Sequence, residues 1–128
     1  MDKKIIATAA FLGMVAIILG AFGAHALKKV LSVEELVTFE TGVRYQMYHA
    51  FFLLFVATRK ELSIKTLKVI YNLAVAGVLL FSGSIYLLAT NNLTSFDFKI
   101  IGFVTPIGGL LLILAWSVLF VKIIKQKS

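Results

Sequence analysis

Four long apolar stretches occupy almost the whole of this 128-residue chain. They lie at about residues 5–27, 42–58, 69–90 and 100–121. Each is near or beyond the roughly 20 residues that an α-helix needs to cross about 30 Å of hydrocarbon. The mean hydropathy of +0.98 is also far above that of a soluble domain. The sequence therefore predicts an all-α integral membrane protein, a single domain over residues 1–128 that forms a four-helix transmembrane bundle.

The second apolar stretch has an amphipathic beginning. Ser32 and Glu35 have the spacing of a capping box, which predicts a helix that starts near Val33. We expect residues 33–41 to lie at the membrane interface and only the later part of the helix to be embedded. Glu40 and Arg44 are four residues apart and should form an ion pair near that interface.

The distribution of Lys and Arg predicts the orientation of the chain. With four spans, the side that holds both termini and the middle loop carries nine of these residues, and the other side carries four. The positive-inside rule then places the N and C termini in the cytoplasm.

The composition argues against several kinds of partner and cofactor. The net charge is +7, but no basic face with interleaved aromatic residues is present, so we expect no nucleic acid partner. Lysines in short loops fit anionic lipid headgroups better, which makes the lipid bilayer the expected partner. The chain has no cysteine and only two histidines, so we expect no metal site and no cofactor.

Small residues recur where helices could approach closely. In the first stretch they have three- and four-residue spacing and share one face, which is typical of packed membrane helices. We expect most of them to pack inside the bundle. Because four short helices enclose little interior, at least one such face could serve a homo-oligomer or a contact with another membrane protein. The positions that we assign to helix packing are Gly13, Gly20, Gly23, Gly42, Gly83, Pro106, Gly108 and Gly109.

Polar side chains interrupt the apolar stretches, and such residues usually face the interior and find partners. Gly42, Gln46 and His49 share one helix face, and Arg44 is rotated away from it. One interpretation is a polar pocket or proton relay in the outer half of the membrane. The other is a set of hydrogen bonds that only hold helices together. The candidate pocket residues are His25, Gln46, His49, Ser82, Ser84 and Thr105.

Thr105 and Pro106 lie early in the fourth stretch. Proline inside a helix removes a backbone hydrogen bond, so we expect a span that is kinked at Pro106. The alternative is a broken span in which Thr105 caps a helix that starts at Pro106.

Four sequence blocks resemble a family of small, uncharacterised bacterial inner-membrane proteins that includes YgdD and YwdK. The blocks are residues 20–28 (GAFGAHALK), 45–50 (YQMYHA), 81–87 (FSGSIYL) and 105–109 (TPIGG). One departure is Ala115 before Trp116, where the family pattern has glycine. The resemblance implies a four-helix protein of the bacterial inner membrane and implies no activity.

Three hypotheses for function remain. The first is a non-enzymatic accessory or scaffold protein that acts through helix packing and oligomerisation. The second is binding or transport of a small solute or lipid headgroup in the polar pocket. The third, an intramembrane enzyme, is the least favoured, because no paired carboxylates, nucleophile set or metal-ligand spacing supports it.

Overall fold

The computed structural model describes residues 2–95 and 97–126, and all the regular structure in them is helical. The long helices are α1 (Asp2–His25), α2 (Val33–Ala57), α3 (Ile64–Ala89) and α4 (Val104–Ile124). Short 3-10 turns connect them at Leu27–Lys29, Asn91–Leu93 and Phe98–Ile101. Lys127, which contributes to the charge count above, lies outside the described residues.

The predicted capping box at the start of α2 is confirmed. The backbone N–H of Glu35 donates to the Ser32 hydroxyl at 3.1 Å, and the Glu35 carboxylate accepts from the Ser32 backbone N–H at 2.8 Å. α2 then continues without interruption to Ala57, so the amphipathic turns and the apolar part belong to one helix. Ser63 caps α3 in a related way, by accepting from the backbone N–H of Thr66.

Three of the helices, α1, α3 and α4, are long and apolar enough to cross a membrane. α2 does not reach the same hydropathy, although it is 25 residues long. The reason is its polar content, since it holds Glu34, Glu35, Glu40 and Arg44 in its first half and polar residues in its buried face. The fourth span and the cytoplasmic position of the termini stay predictions.

α2 and α3 form the centre of the molecule. The extensive helix contacts are those of α1 with α2, α2 with α3, and α3 with α4. α1 also reaches α3 through a 2.8 Å hydrogen bond between the hydroxyls of Thr8 and Tyr71. α4 reaches α2 through the indole of Trp116. As a result, α1 and α4 flank the central pair and are the helices with the least buried surface.

The apolar core has two parts, one toward each end of the helices. The larger cluster includes Phe52 and Leu53 of α2 and Ile70 of α3. The smaller one includes Phe39 of α2 and Ala89 of α3. Four buried polar residues lie along α2 and α3 between these two clusters, namely Gln46, His49, Ser82 and Ser84. The fifth, Thr66, lies in the first turn of α3 beside the larger cluster.

Three glycines permit close helix contacts. A Cβ atom at Gly108 of α4 would overlap the backbone of Phe81 and lie 2.7 Å from the Leu80 carbonyl carbon in α3. One at Gly77 of α3 would lie 2.6 Å from the Leu112 side chain in α4, and one at Gly42 would lie 2.7 Å from the Tyr86 ring. Such approaches are typical of tightly packed membrane helices.

The other predicted packing glycines have more room. A Cβ at Gly13, Gly20 or Gly23 would be in ordinary van der Waals contact with α2, so these three positions of α1 lie against α2. Gly109 is in a similar position against the Phe81 ring, whereas Gly83 faces open space. Ala115, at the position where the family pattern has glycine, is fully buried in the larger core cluster.

The expectation of a kinked fourth span is wrong. α4 begins at Val104, after a 3-10 turn and two further turn residues, and Pro106 lies in its first turn. There the missing proline N–H has no intrahelical partner to lose, so the helix is not kinked. The observed start of α4 is closer to the alternative of a broken span, although Phe103 and not Thr105 occupies the N-cap position. The 21 residues of α4 give it a length of about 31 Å.

Candidate functional site

Gln46 joins three helices at the centre of the domain. It lies on α2 with only 4% of its surface exposed. Its amide nitrogen donates to the Leu12 carbonyl of α1 at 2.8 Å. Its amide oxygen accepts from the Tyr86 hydroxyl of α3 at 2.6 Å. Both ends of the side chain are therefore used for contacts within the domain.

A second polar contact lies one turn away, between α2 and α3. The Ser82 hydroxyl donates to the Gly42 carbonyl at 2.7 Å. The contact depends on the missing side chain at Gly42, because that space is taken by Tyr86 and Ile85 of α3. Gly42, Gln46 and His49 are all buried, which confirms the predicted buried face of α2, and Arg44 is turned outward to form its ion pair with Glu40 at 3.7 Å.

His49 is the point where α4 meets α2. It is 3% exposed, and the indole N–H of Trp116 donates to its Nε2 at 3.0 Å. Its Nδ1 lies 2.6 Å from the Tyr45 carbonyl. Since an indole nitrogen only donates and a carbonyl only accepts, the imidazole is neutral and carries its proton on Nδ1. Neither nitrogen is left for a ligand in this arrangement.

Ser84 and Thr105 form a third contact, between α3 and α4. Their hydroxyl oxygens are 2.5 Å apart. The Ser84 hydroxyl also donates to the Phe81 carbonyl at 3.0 Å, so the proton between the two side chains comes from Thr105. This bond fixes the first turn of α4, which has no side-chain N-cap.

His25 is placed apart from the other candidate residues. It is exposed in the last turn of α1. The other five candidates do not form one site. Gln46 and Ser82 lie in the contacts of α2 with its neighbours α1 and α3, His49 lies between α2 and α4, and Ser84 and Thr105 lie between α3 and α4. A ligand-binding role for the six residues stays a prediction.

A groove between α2, α3 and α4 passes beside His49. We call it the His49 groove; it has a volume of about 490 Å³ and opens to the outside of the domain. Tyr45 and Phe81 form one part of its wall, and Ile113 and Trp116 form another. The sequence did not identify Trp116 or Tyr86 as partners of the buried polar residues, a role that depends on the packing of α3 and α4 on α2.

Charged groups lie near the ends of the helices, apart from the exposed Glu40–Arg44 ion pair within α2. No cluster of three potential metal-ligating side chains occurs within residues 2–95 and 97–126.

At the start of α2, the pKa of Glu35 lies below its ordinary value, chiefly because its carboxylate accepts from the Ser32 backbone N–H. Side-chain contacts with Ser32 and Asn92 lower it further, and partial desolvation opposes them. The Asn92 amide donates to the Glu35 carboxylate at 2.5 Å and so ties the α3–α4 connection to α2.

Comparison with known proteins finds relatives that are named as membrane proteins. Residues 19–109 match the family described as a protein of unknown function (DUF423). The UPF0382 membrane protein YwdK of Bacillus subtilis is 37% identical over 125 residues, which cover 96% of this chain and 98% of the relative. A UPF0382 membrane protein of Haemophilus influenzae is 35% identical over 128 residues, which cover 100% and 99%. The inner membrane protein YgdD of Escherichia coli K12 is 37% identical over 121 residues, which cover 93% and 88%. No solved structure matches the chain.

Membrane-length apolar helices and buried, internally bonded polar residues define a small multipass membrane protein. Full-length similarity to membrane proteins of several bacteria places it in the bacterial inner (cell) membrane. The chain belongs to the UPF0382 family of uncharacterised membrane proteins, as the four sequence blocks predicted.

Proposed function

We propose that this protein is a non-enzymatic accessory or scaffold protein that acts through lateral helix contacts in the membrane, with itself or with other membrane proteins. The observation that carries the proposal is the use of Gln46. Gln46 bonds α1 with its amide nitrogen and α3 with its amide oxygen, so both of these hydrogen bonds hold helices together.

The outer faces of α1 and α4 are the surfaces available for such contacts. Both helices are strongly apolar and are buried on only a narrow face. On α1, Ile17 is 66% exposed while its neighbour Ala16 is 1% exposed. On α4, Leu110 is 55% exposed. Helices in lipid associate through van der Waals packing of such faces rather than through the hydrophobic effect.

Site-directed cross-linking tests the proposal, because the chain contains no cysteine. Single-cysteine variants Ile17→Cys and Leu110→Cys would be treated in native membranes with a thiol cross-linker. Ala16→Cys, at a buried position of the same helix, is the matched control. We expect a discrete adduct from at least one exposed position, with the mass of a dimer or of one defined partner. Exposed positions that cross-link no more than Ala16→Cys would contradict the proposal.

The alternative is binding of a small solute or lipid headgroup in the outer half of the membrane. The His49 groove favours it, because the groove is large enough for a small molecule and one wall contains the imidazole. Native mass spectrometry of the protein in mild detergent tests this function. Ile113→Trp would fill the groove from an exposed position and leave the His49 hydrogen bonds intact. A small molecule retained by the wild type and lost from Ile113→Trp would support the alternative, and a bare protein in both cases would count against it.

A further inference from the structure

A second groove lies between the C-terminal ends of α2 and α4 and ends at Arg59. We call it the Arg59 groove; its volume is about 390 Å³. Its apolar walls are formed by Phe55 of α2 and by Trp116, Leu119, Phe120, Ile123 and Ile124 of α4. Arg59 and Glu61, in the connection between α2 and α3, close its polar end. The Gln126 amide donates to the Glu61 carbonyl at 3.2 Å and fixes this end against α4.

Arg59 has hydrogen-bonding capacity that the domain does not use. Its Nε is the one buried side-chain nitrogen or oxygen without a hydrogen-bond partner within residues 2–95 and 97–126. Its Nη1 is 3.9 Å from the Glu61 carboxylate, which is a loose ion pair. The guanidinium lies over the Phe55 ring, with 5.0 Å between Cζ and the ring centroid. The Arg59 side chain as a whole is 39% exposed and its ion pair is loose, so its accessible N–H groups are suited to an external anionic oxygen.

We propose that the Arg59 groove binds an anionic phospholipid, with its phosphate on the Arg59 guanidinium and one acyl chain along α4. Arginine binds phosphate through planar, paired N–H donors, and the apolar walls match a hydrocarbon chain. From Ile124 to Trp116 the groove runs about 12 Å along α4. One leaflet of hydrocarbon is about 15 Å deep, so the groove has the dimensions of a single leaflet.

Charge complementarity favours an anionic lipid over a zwitterionic one. Lys60 and Lys125, both exposed, lie at the same end of the domain as Arg59. Basic residues near a membrane surface attract anionic headgroups. The proposal concerns a different groove from the candidate polar pocket and does not depend on the scaffold function.

The single tryptophan of the chain provides a direct test. Trp116 forms the inner end of the Arg59 groove and is 48% exposed. The protein would be reconstituted in phosphatidylcholine vesicles with a small fixed fraction of either chain-brominated phosphatidylglycerol or chain-brominated phosphatidylcholine. Bromine on a chain in the groove quenches the Trp116 fluorescence. We expect about a tenfold preference for phosphatidylglycerol, because both lipids offer the same phosphate but only phosphatidylcholine carries a cation that Arg59 repels.

Arg59→Gln should abolish this preference, and Lys28→Gln, which removes an exposed charge at the opposite end of the domain, should keep it. Glu61→Gln removes the competing carboxylate and should increase the preference, which gives a gain-of-binding test that a folding defect cannot imitate. Equal quenching by the two brominated lipids in the wild type would overturn the proposal. Release of phosphatidylglycerol by added inorganic phosphate would also overturn it, because the site would then recognise the phosphate without the chain.

Discussion

The indole nitrogen of Trp116 donates a hydrogen bond of 3.0 Å to Nε2 of His49 and thereby joins α4 to α2. The Phe52 ring packs on the same indole, with 4.2 Å between the ring centroids. Helix contacts in lipid have little hydrophobic driving force, so a specific polar bond of this kind contributes to which helices pair and in which register. α4 makes its extensive contacts with α3, and this bond adds a fixed point on the central helix α2.

Replacement of Trp116 by phenylalanine tests this bond. Trp116→Phe keeps an aromatic ring beside Phe52 but leaves Nε2 of His49 without its donor. We expect the free energy of unfolding to fall by about 0.6–1.7 kcal/mol, the range for interhelical hydrogen bonds in membranes. Circular dichroism during titration with a denaturing detergent would measure it. The control is Ser117→Ala, whose hydroxyl bonds only its own helix at the Ile113 carbonyl. Equal stability of Trp116→Phe and the wild type would contradict the assignment.

Two adjacent glycines of α4 should respond differently to alanine. In Gly108→Ala the new methyl group would overlap the backbone of Phe81, which cannot move aside without separating α3 from α4. We expect a loss of about 1–3 kcal/mol, as for other overpacked sites. In Gly109→Ala the methyl group would be 3.5 Å from the Phe81 ring, an ordinary contact, so stability should be nearly unchanged. The same detergent titration would compare the stability of the two variants. Equal losses of stability would contradict the close approach of Gly108 to α3.

The start of α2 should give the protein an acid-sensitive contact. The pKa of Glu35 is lowered in the folded protein, chiefly by the Ser32 backbone N–H, so folding favours the ionised carboxylate. Its contribution is fully present above the pKa of the unfolded chain and is lost as the pH falls through the lower folded pKa. We therefore expect the stability difference between wild type and Glu35→Ala to be present at neutral pH and to shrink as the pH falls below about 4.5.

Thermal unfolding in detergent across this pH range would measure the difference. Glu34→Ala, a change of the neighbouring carboxylate in the same turn, is the control. A Glu35→Ala effect that is constant from neutral to acidic pH would show that the carboxylate charge has no part in the cap.

Local features of this fold could be predicted from the sequence. The Ser32–Glu35 capping box involves residues three positions apart, and the small face of α1 follows from helical periodicity. The buried face of Gly42, Gln46 and His49 was predictable for the same reason. Each of these depends on one helix alone.

The partners of the buried residues could not be predicted, because they depend on the register between helices. Tyr86 is 40 residues from Gln46, and Trp116 is 67 residues from His49. Gly77 lies in an apolar run with no local sign of importance, and it is required only because Leu112 of α4 packs on it. The start of α4 was predicted incorrectly for a different reason, since proline is compatible with both a kink and a first turn.

The buried polar residues hold the helices together, and the hydrogen bond between Gln46 and Tyr86 offers the sharpest test of this role. A double-mutant cycle of Gln46→Leu and Tyr86→Phe, measured as free energies of unfolding in detergent, isolates the contact. We expect each variant to be less stable than the wild type and the two losses of stability to be non-additive. The expected coupling is about 0.6–1.7 kcal/mol. Single variants as stable as the wild type, with no coupling, would contradict this role and leave Gln46 available for a ligand.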